Sequence, residues 1–147
     1  MEERICYRPI GIVHSPYKEP YGVPFQPYFG TGVEGTVEVF PEFADGLAGV
    51  AELSHITLVC HFHRAVGYQL HVITPYRDDP RGLFATRAPH RPNPIGISTV
   101  RLLGVDGRFL RIADLDIIDG TPVLDIKPYV PLVIEPKELT HGKWEGE

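Results

Sequence analysis

Fifteen prolines and fifteen glycines are spread through this chain of 147 residues, and that punctuation leaves little room for helix. Proline removes a backbone donor and clashes inside a helix, while glycine loses more backbone freedom than any other residue when it is ordered there. At the same time 43% of the residues are apolar, so the chain has the material for a packed core. A folded, turn-rich, all-β protein is the expectation. The length is that of one ordinary domain, too short for two well-formed cores.

Strand composition recurs at short intervals. Tyr7 to Val13 reads as a strand closed by the turn His14-Ser-Pro-Tyr, and Gly35 to Phe40 alternates Val37 and Val39 with Thr36 and Glu38. His55 to Phe62, Gln69 to Thr74, Ile97 to Val105, Phe109 to Asp114 and Val123 to Val130 complete the set, with a hairpin expected at Asp106-Gly107. Pro41 to Leu53 has the spacing for one or two short helical turns. Val23 to Val33 carries three aromatics between Pro and Gly and reads as a loop that packs on the core or roofs a pocket. Many short strands with tight turns suggest a closed or nearly closed barrel, which removes vulnerable sheet edges. The predicted organisation is one small β-barrel domain over residues 1–147, with its core at about 7–135 and a polar tail from 136 to 147.

The most unusual segment is Phe84-Ala-Thr-Arg-Ala-Pro-His-Arg-Pro-Asn-Pro-Ile-Gly-Ile-Ser98. Its prolines fix their own φ and push the preceding residues toward extended geometry, so it reads as a rigid loop that presents Arg87, His90, Arg91 and Asn93 already oriented. The plainer alternative is a structural turn. A second polar set is Asp125, Lys127 and Tyr129, spaced by two and therefore on one face of an extended strand. Lining a pocket, they supply a base, a fixed positive charge and a donor; on an exposed face they are a surface ion pair of little consequence. Asp116 and Asp119 flank a Gly-containing turn, where a carboxylate commonly caps backbone amides.

The formal charge is −5, which counts against general electrostatic affinity for nucleic acid. The charge is segregated along the chain, however, with Arg64, Arg77, Arg81, Arg87, Arg91 and Arg101 in the middle and acidic residues near Glu34 to Glu52 and Asp114 to Asp125. No apolar run is long enough to span a bilayer and the N-terminus lacks the plan of a signal peptide, so a cytoplasmic protein with no membrane partner is expected. Cys6 and Cys60 are then expected as free thiols.

Arg87-Ala-Pro-His-Arg-Pro-Asn-Pro-Ile-Gly96 closely resembles the signature of the TsaA-like (YaeB/TrmO) family. Ile10-Gly-Ile-Val-His-Ser-Pro-Tyr-Lys18, Pro24-Phe-Gln-Pro27, Leu53-Ser-His55 and Asp116-Ile-Ile-Asp-Gly-Thr-Pro-Val-Leu-Asp-Ile-Lys-Pro-Tyr129 match further blocks in family order. The resemblance implies a small β-barrel that binds S-adenosyl-L-methionine and methylates the exocyclic nitrogen of threonylcarbamoyl-adenosine beside a tRNA anticodon, working as a homodimer. It makes Pro24, Phe25, Gln26, His63, Arg64, Arg87, Ile97, Asp116, Asp119, Gly120 and Thr121 candidate cofactor contacts. Phe25 departs from the family pattern, which usually carries an Arg there. The best-known bacterial members also extend into a C-terminal domain, and the expectation is that this chain lacks the RNA-contacting surface such a domain would add.

The chemistry so implied is methyl transfer to a urea-like nitrogen whose lone pair is delocalised. Asp125, Lys127 and Tyr129 are the candidates to polarise its N–H, with His90 as an alternative base near neutral pH. Arg87 or Arg91 is the candidate clamp for the threonine carboxylate, with Asn93 as a further substrate contact. Two other readings stand beside this one. A non-catalytic module would keep the cofactor pocket and read a ligand. A cupin-like metal barrel would use His55, His61, His63 and His71, although the acidic third ligand of that pattern is lacking.

Overall fold

The computed structural model describes residues 3–19, 31–73 and 79–131. Its centre is a closed barrel of six antiparallel strands, β1 (Gly11–His14), β2 (Glu34–Val39), β3 (His55–His61), β6 (Ile95–Asp106), β7 (Phe109–Ala113) and β8 (Pro122–Pro128). Around the barrel the order is β1-β2-β7-β6-β3-β8, and β8 closes the ring on β1 through Gly11↔Val123 and Ile12↔Pro122. The expected all-β barrel is therefore the observed fold. A two-stranded ribbon, β4 (His71–Val72) with β5 (Arg81–Gly82), stands as a separate sheet. By compactness the chain divides into two units, one of Met1–Arg64 with Ile95–Tyr129 and a smaller one of Ala65–Pro94 with Val130–Glu147.

Alternation along the strands fills the barrel with Val13, Val37, Val39, Ile56, Leu58, Cys60, Val100, Leu110, Ile112 and Val123, and Leu115 and Ile117 plug it from the loop after β7. Two β-bulges keep this pattern consistent. Between β6 and β7 the register runs Leu102↔Ile112 and then Gly104↔Arg111, so Leu103 is the extra residue and both Leu102 and Val105 turn to the core. Between β3 and β8 it runs Cys60↔Val123 and then Val59↔Asp125, so Leu124 is extra, Val123 and Ile126 both face inward, and Asp125 and Lys127 are turned to the outer face. Gly96 sits opposite Cys60 with the Phe62 ring lying where a side chain would stand.

Several boundaries differ from the sequence reading. The first strand begins at Gly11 and not Tyr7, because Pro9 has no N–H to give the ladder; pairing with β8 starts with Ile10 N–H to the Val123 carbonyl at 2.7 Å. The strand expected over Gln69 to Thr74 is described only at His71–Val72, and its partner Arg81–Gly82 lies between Pro80 and a 3-10 turn at Leu83–Ala85. The helical turns after β2 are 3-10, at Pro41–Leu47 and Val50–Glu52. The Phe84–Ser98 run is not one loop, since Ile95 to Ser98 already belong to β6. Most of the aromatic stretch Val23 to Val33 lies outside the described residues.

Candidate functional site at one mouth of the barrel

β1, β3 and β7 all end at the same mouth of the barrel, and β8 starts there. The turn after β1 and the loop between β7 and β8 meet at this mouth and are stapled together. The Ser15 amide donates to Asp119 Oδ1 at 2.8 Å, and Lys18 Nζ lies 3.1 Å from Asp119 Oδ2. Backbone bonds reinforce the join, from Asp119 N–H to the Tyr17 carbonyl at 2.7 Å, from Gly120 N–H to Val13 at 2.8 Å and from Val13 N–H to Thr121 at 2.9 Å. The Ser15 hydroxyl accepts from the Tyr17 amide at 3.0 Å, and the Thr121 hydroxyl donates to the Ile118 carbonyl at 2.6 Å. The Ser15 bond, and after it Lys18, hold the Asp119 carboxyl below the usual carboxylate range.

His63 and Arg64 follow β3 into this mouth. Gly120 has φ 83°, a left-handed conformation that glycine adopts without steric penalty, and His63 Nε2 lies 3.7 Å from where its Cβ would be. Burial, then the Arg64 and His61 charges, push the His63 imidazole toward its neutral form against the opposing pull of Asp119. Arg64 is anchored by Glu19 at 3.3 Å and reaches the Lys18 carbonyl at 3.5 Å. One turn earlier on the loop, Asp116 accepts from the buried Ser98 hydroxyl at 2.7 Å. Burial, with the Asp116 charge, pushes the Cys60 thiol up to about 12.

The outer face of β3, β6 and β8 presents a different set. Ile97 and Asp125 flank Val59 in one row, and Thr99 and Lys127 flank Thr57 in the next, where the two threonine hydroxyls bond at 3.0 Å. Asp125 and Lys127 form an exposed ion pair at 2.9 Å, and Asp125 Oδ1 also accepts from the Ile126 amide. β8 stops at Pro128, so Tyr129 lies beyond the ladder and is exposed. The three residues expected on one strand face are thus an ion pair on that face and a side chain past its end.

The smaller unit holds the proline-rich residues. Arg91 Nη1 donates to the Thr86 carbonyl at 2.9 Å and the Ala88 carbonyl at 3.0 Å, and the guanidinium lies 5.9 Å from the Phe84 ring centroid. Much of its hydrogen-bonding capacity is thus spent bracing the loop, and a carboxylate clamp has only the other N–H groups. His90 Nδ1 is 3.1 Å from both the amide and the carbonyl of Val66, accepting from one or donating to the other according to tautomer. Arg87 and Asn93 are exposed. Among the described residues no three His, Cys, Asp or Glu side chains converge as a metal would require, and no helix is long and apolar enough to cross a membrane.

Comparison with known proteins places this geometry. Residues 12–133 match the model of the tRNA-methyltransferase O N-terminal domain. The chain belongs to that family. A "Probable S-adenosyl-L-methionine-binding protein" of Pyrococcus abyssi is 62% identical over 128 residues, covering 86% of this chain and 69% of the relative. The tRNA (adenine(37)-N6)-methyltransferase of Escherichia coli is 38% identical over 135 residues, covering 85% of this chain and 57% of the relative. The crystal structure of TrmO from Pseudomonas aeruginosa superposes with a TM-score of 0.79 at 38% identity, covering 95% of this chain and 62% of that one. The chain thus spans little more than half to two thirds of these relatives.

Within this family barrel, His63, Arg64, Asp119, Gly120 and Thr121 come together at one mouth, with Asp116 on the same loop, while Ile97, Asp125 and Lys127 share an outer face. Pro24, Phe25 and Gln26 lie outside the described residues. Ser15 and Lys18 were missed as site residues. Their turn, His14-Ser-Pro-Tyr-Lys18, is visible in the sequence, but nothing in its spacing points to a carboxylate a hundred residues away.

Proposed function

We propose that this protein is an S-adenosyl-L-methionine-dependent methyltransferase acting on N6 of threonylcarbamoyl-adenosine next to the anticodon of tRNA, and that it works as a cytoplasmic homodimer. The observation that carries this reading is the stapled loop Asp114 to Thr121 against His63 and Arg64, set in a barrel whose relatives are named both as S-adenosylmethionine-binding proteins and as tRNA methyltransferases. The residues at the mouth suit the cofactor. Gly120 leaves backbone open beside the His63 imidazole, and Arg64 brings a cation for a carboxylate. His63, Arg64, Gly120 and Thr121, with Arg87, Ile97, Asp116 and the Pro24-Phe25-Gln26 segment, would hold it. Asp119 has both oxygens engaged by Ser15 and Lys18, so it also positions the loop beside its proposed contact with the cofactor.

When bound, the cofactor supplies an electrophilic methyl group on a sulfonium sulfur. The chain's own task is to make a delocalised nitrogen nucleophilic. Asp125 is the group proposed to take the N–H proton, Lys127 the fixed positive charge beside it, and Tyr129 a donor to the urea-like carbonyl; His90 is the alternative base. Arg91, Arg87 and Asn93 orient the threonine moiety, and alignment of nucleophile and methyl group contributes much of the rate.

The test is transfer of label from S-adenosylmethionine to total tRNA taken from cells lacking this protein, with wild type and Arg87→Ala in parallel. Label that maps to threonylcarbamoyl-adenosine and disappears in the variant is the expected result. A second reading, a cofactor-binding module without transfer, is favoured by the name of the archaeal relative. Tight cofactor binding with no label in any tRNA would establish it.

A further inference from the structure

We infer that the described part of the smaller unit, residues 65–73 and 79–94, presents a contact surface for single-stranded RNA on which unpaired bases stack against Phe84 and Tyr68. This deepens the tRNA reading above and rests on it. Phe84 is 75% exposed and Tyr68 53% exposed, and Val66, Leu70 and Ile73 of the same unit are exposed beside them in sequence. Large rings left in water are costly unless something covers them, and the chemistry around these two selects the cover.

The Arg91 guanidinium lies 5.9 Å from the Phe84 centroid and is pinned there by two carbonyls, so a cation and an aromatic surface are presented together. The support is rigid. The Thr86 hydroxyl donates to the Leu83 carbonyl at 2.7 Å and accepts from the Ala88 amide at 3.3 Å, Leu83 N–H bonds Leu70, and Pro89, Pro92 and Pro94 fix the chain beyond. A platform ordered in advance loses little entropy when a base stacks on it.

Charge chooses between occupants. Residues 65–94 contain four Arg and two Asp with no Lys or Glu, a net positive segment in a chain of net charge −5. A second copy meeting this surface about a twofold axis would set Arg81, Arg87 and Arg91 against the same arginines. An RNA backbone supplies the complementary charge, and its unpaired bases supply faces for the rings whatever their sequence. A duplex has no free faces to offer.

Filter binding of total tRNA, and of a blunt RNA duplex as control, to wild type, Phe84→Ala, Tyr68→Ala and Phe84→Trp tests this. Both alanine variants are expected to bind tRNA roughly tenfold or more weakly with an unchanged thermal midpoint, Phe84→Trp to bind like wild type, and duplex binding to be the same in all four. Arg81→Gln should instead lower the slope of affinity against salt. Wild-type binding of tRNA that both alanine variants retain overturns this inference and leaves the proposed function standing. Loss of self-association in the alanine variants at unchanged tRNA affinity makes the surface a copy-to-copy interface and overturns it too. A wild type that neither binds nor methylates tRNA defeats the proposed function, and this inference with it.

Discussion

Ser15 and Asp119 are 104 positions apart, and the amide of the first donates to the carboxylate of the second at 2.8 Å, fastening the loop that carries Gly120 and Thr121 to the end of β1. Ser15 is 5% exposed, so removing its acceptor strands a nearly buried amide. Asp119→Ala should therefore lower stability by about 1–3 kcal/mol, measured by urea denaturation, and weaken S-adenosylmethionine binding in calorimetry. Asp119→Asn keeps an acceptor for Ser15 and loses only the Lys18 ion pair, so it should cost less. The carboxyl is depressed in the folded state, so its stabilisation is present above the unfolded carboxylate value near 3.8 and is lost as pH falls through the lower folded value. In acid titrations followed by circular dichroism, the Asn variant should lack this component.

Asp114 ends β7 with φ 68°, a left-handed conformation uncommon for a residue with a side chain. Its carboxylate is held low by the Gly32 amide at 2.8 Å, and Arg101 lies 3.3 Å from the other oxygen. Asp114→Asn keeps the acceptor and a side chain that tolerates this backbone, and its thermal midpoint should stay close to wild type. Asp114→Ala loses both and should be destabilised by about 1–2 kcal/mol.

Gly96 gives a sharper steric test. The Phe62 ring occupies the space a Cβ would need, so Gly96→Ala should destabilise by about 1–3 kcal/mol through forced displacement of the ring. Adding Phe62→Leu should recover part of the loss. Additive effects of the two substitutions in a denaturation cycle would show that the ring does not carry the strain.

The barrel was legible because it rests on local chemistry. Alternation in Val37 and Val39 and the Asp106-Gly107 turn identify strands and a hairpin without reference to the rest of the chain, and Gly107 indeed has φ 61°. Where the sequence misled, a competing local rule applied: Pro9 delays β1, and the bulges at Leu103 and Leu124 shift which residues face inward. The site was half legible. Gly120 and Thr121 stood out through their block and His63 and Arg64 through the family resemblance, but the staple from Ser15 and Lys18 to Asp119 is a product of barrel closure and has no periodicity to betray it. Arg91 was legible only in part, since its place in the proline-rich loop is plain in the sequence while its two carbonyl partners appear only in the fold.

The two cysteines should separate cleanly by reactivity. Cys6 is exposed, whereas Cys60 lies in the barrel with its thiol pushed up to about 12 by burial and the Asp116 charge. Thiolate is the reactive form, so iodoacetamide near pH 8 should modify Cys6 in the native protein and reach Cys60 only in denaturant. Mass spectrometry of peptides after timed labelling measures this, and rapid native labelling of Cys60 would contradict the packing described for β3.

Asp125 offers the most direct test of the chemistry because its structural role is small. Its ion pair with Lys127 is exposed on the outer face, and such pairs contribute about 0–1 kcal/mol. Asp125→Asn should leave the thermal midpoint within a few degrees of wild type, so a change in turnover reports on the reaction and not on folding. If Asp125 accepts the N–H proton, kcat should fall by roughly a hundredfold or more while cofactor affinity holds. Lys127→Met should fall less, since the proton acceptor itself is kept and only the charge 2.9 Å from it is lost. Undiminished turnover in Asp125→Asn would transfer the role to His90, whose replacement by Gln should then abolish turnover.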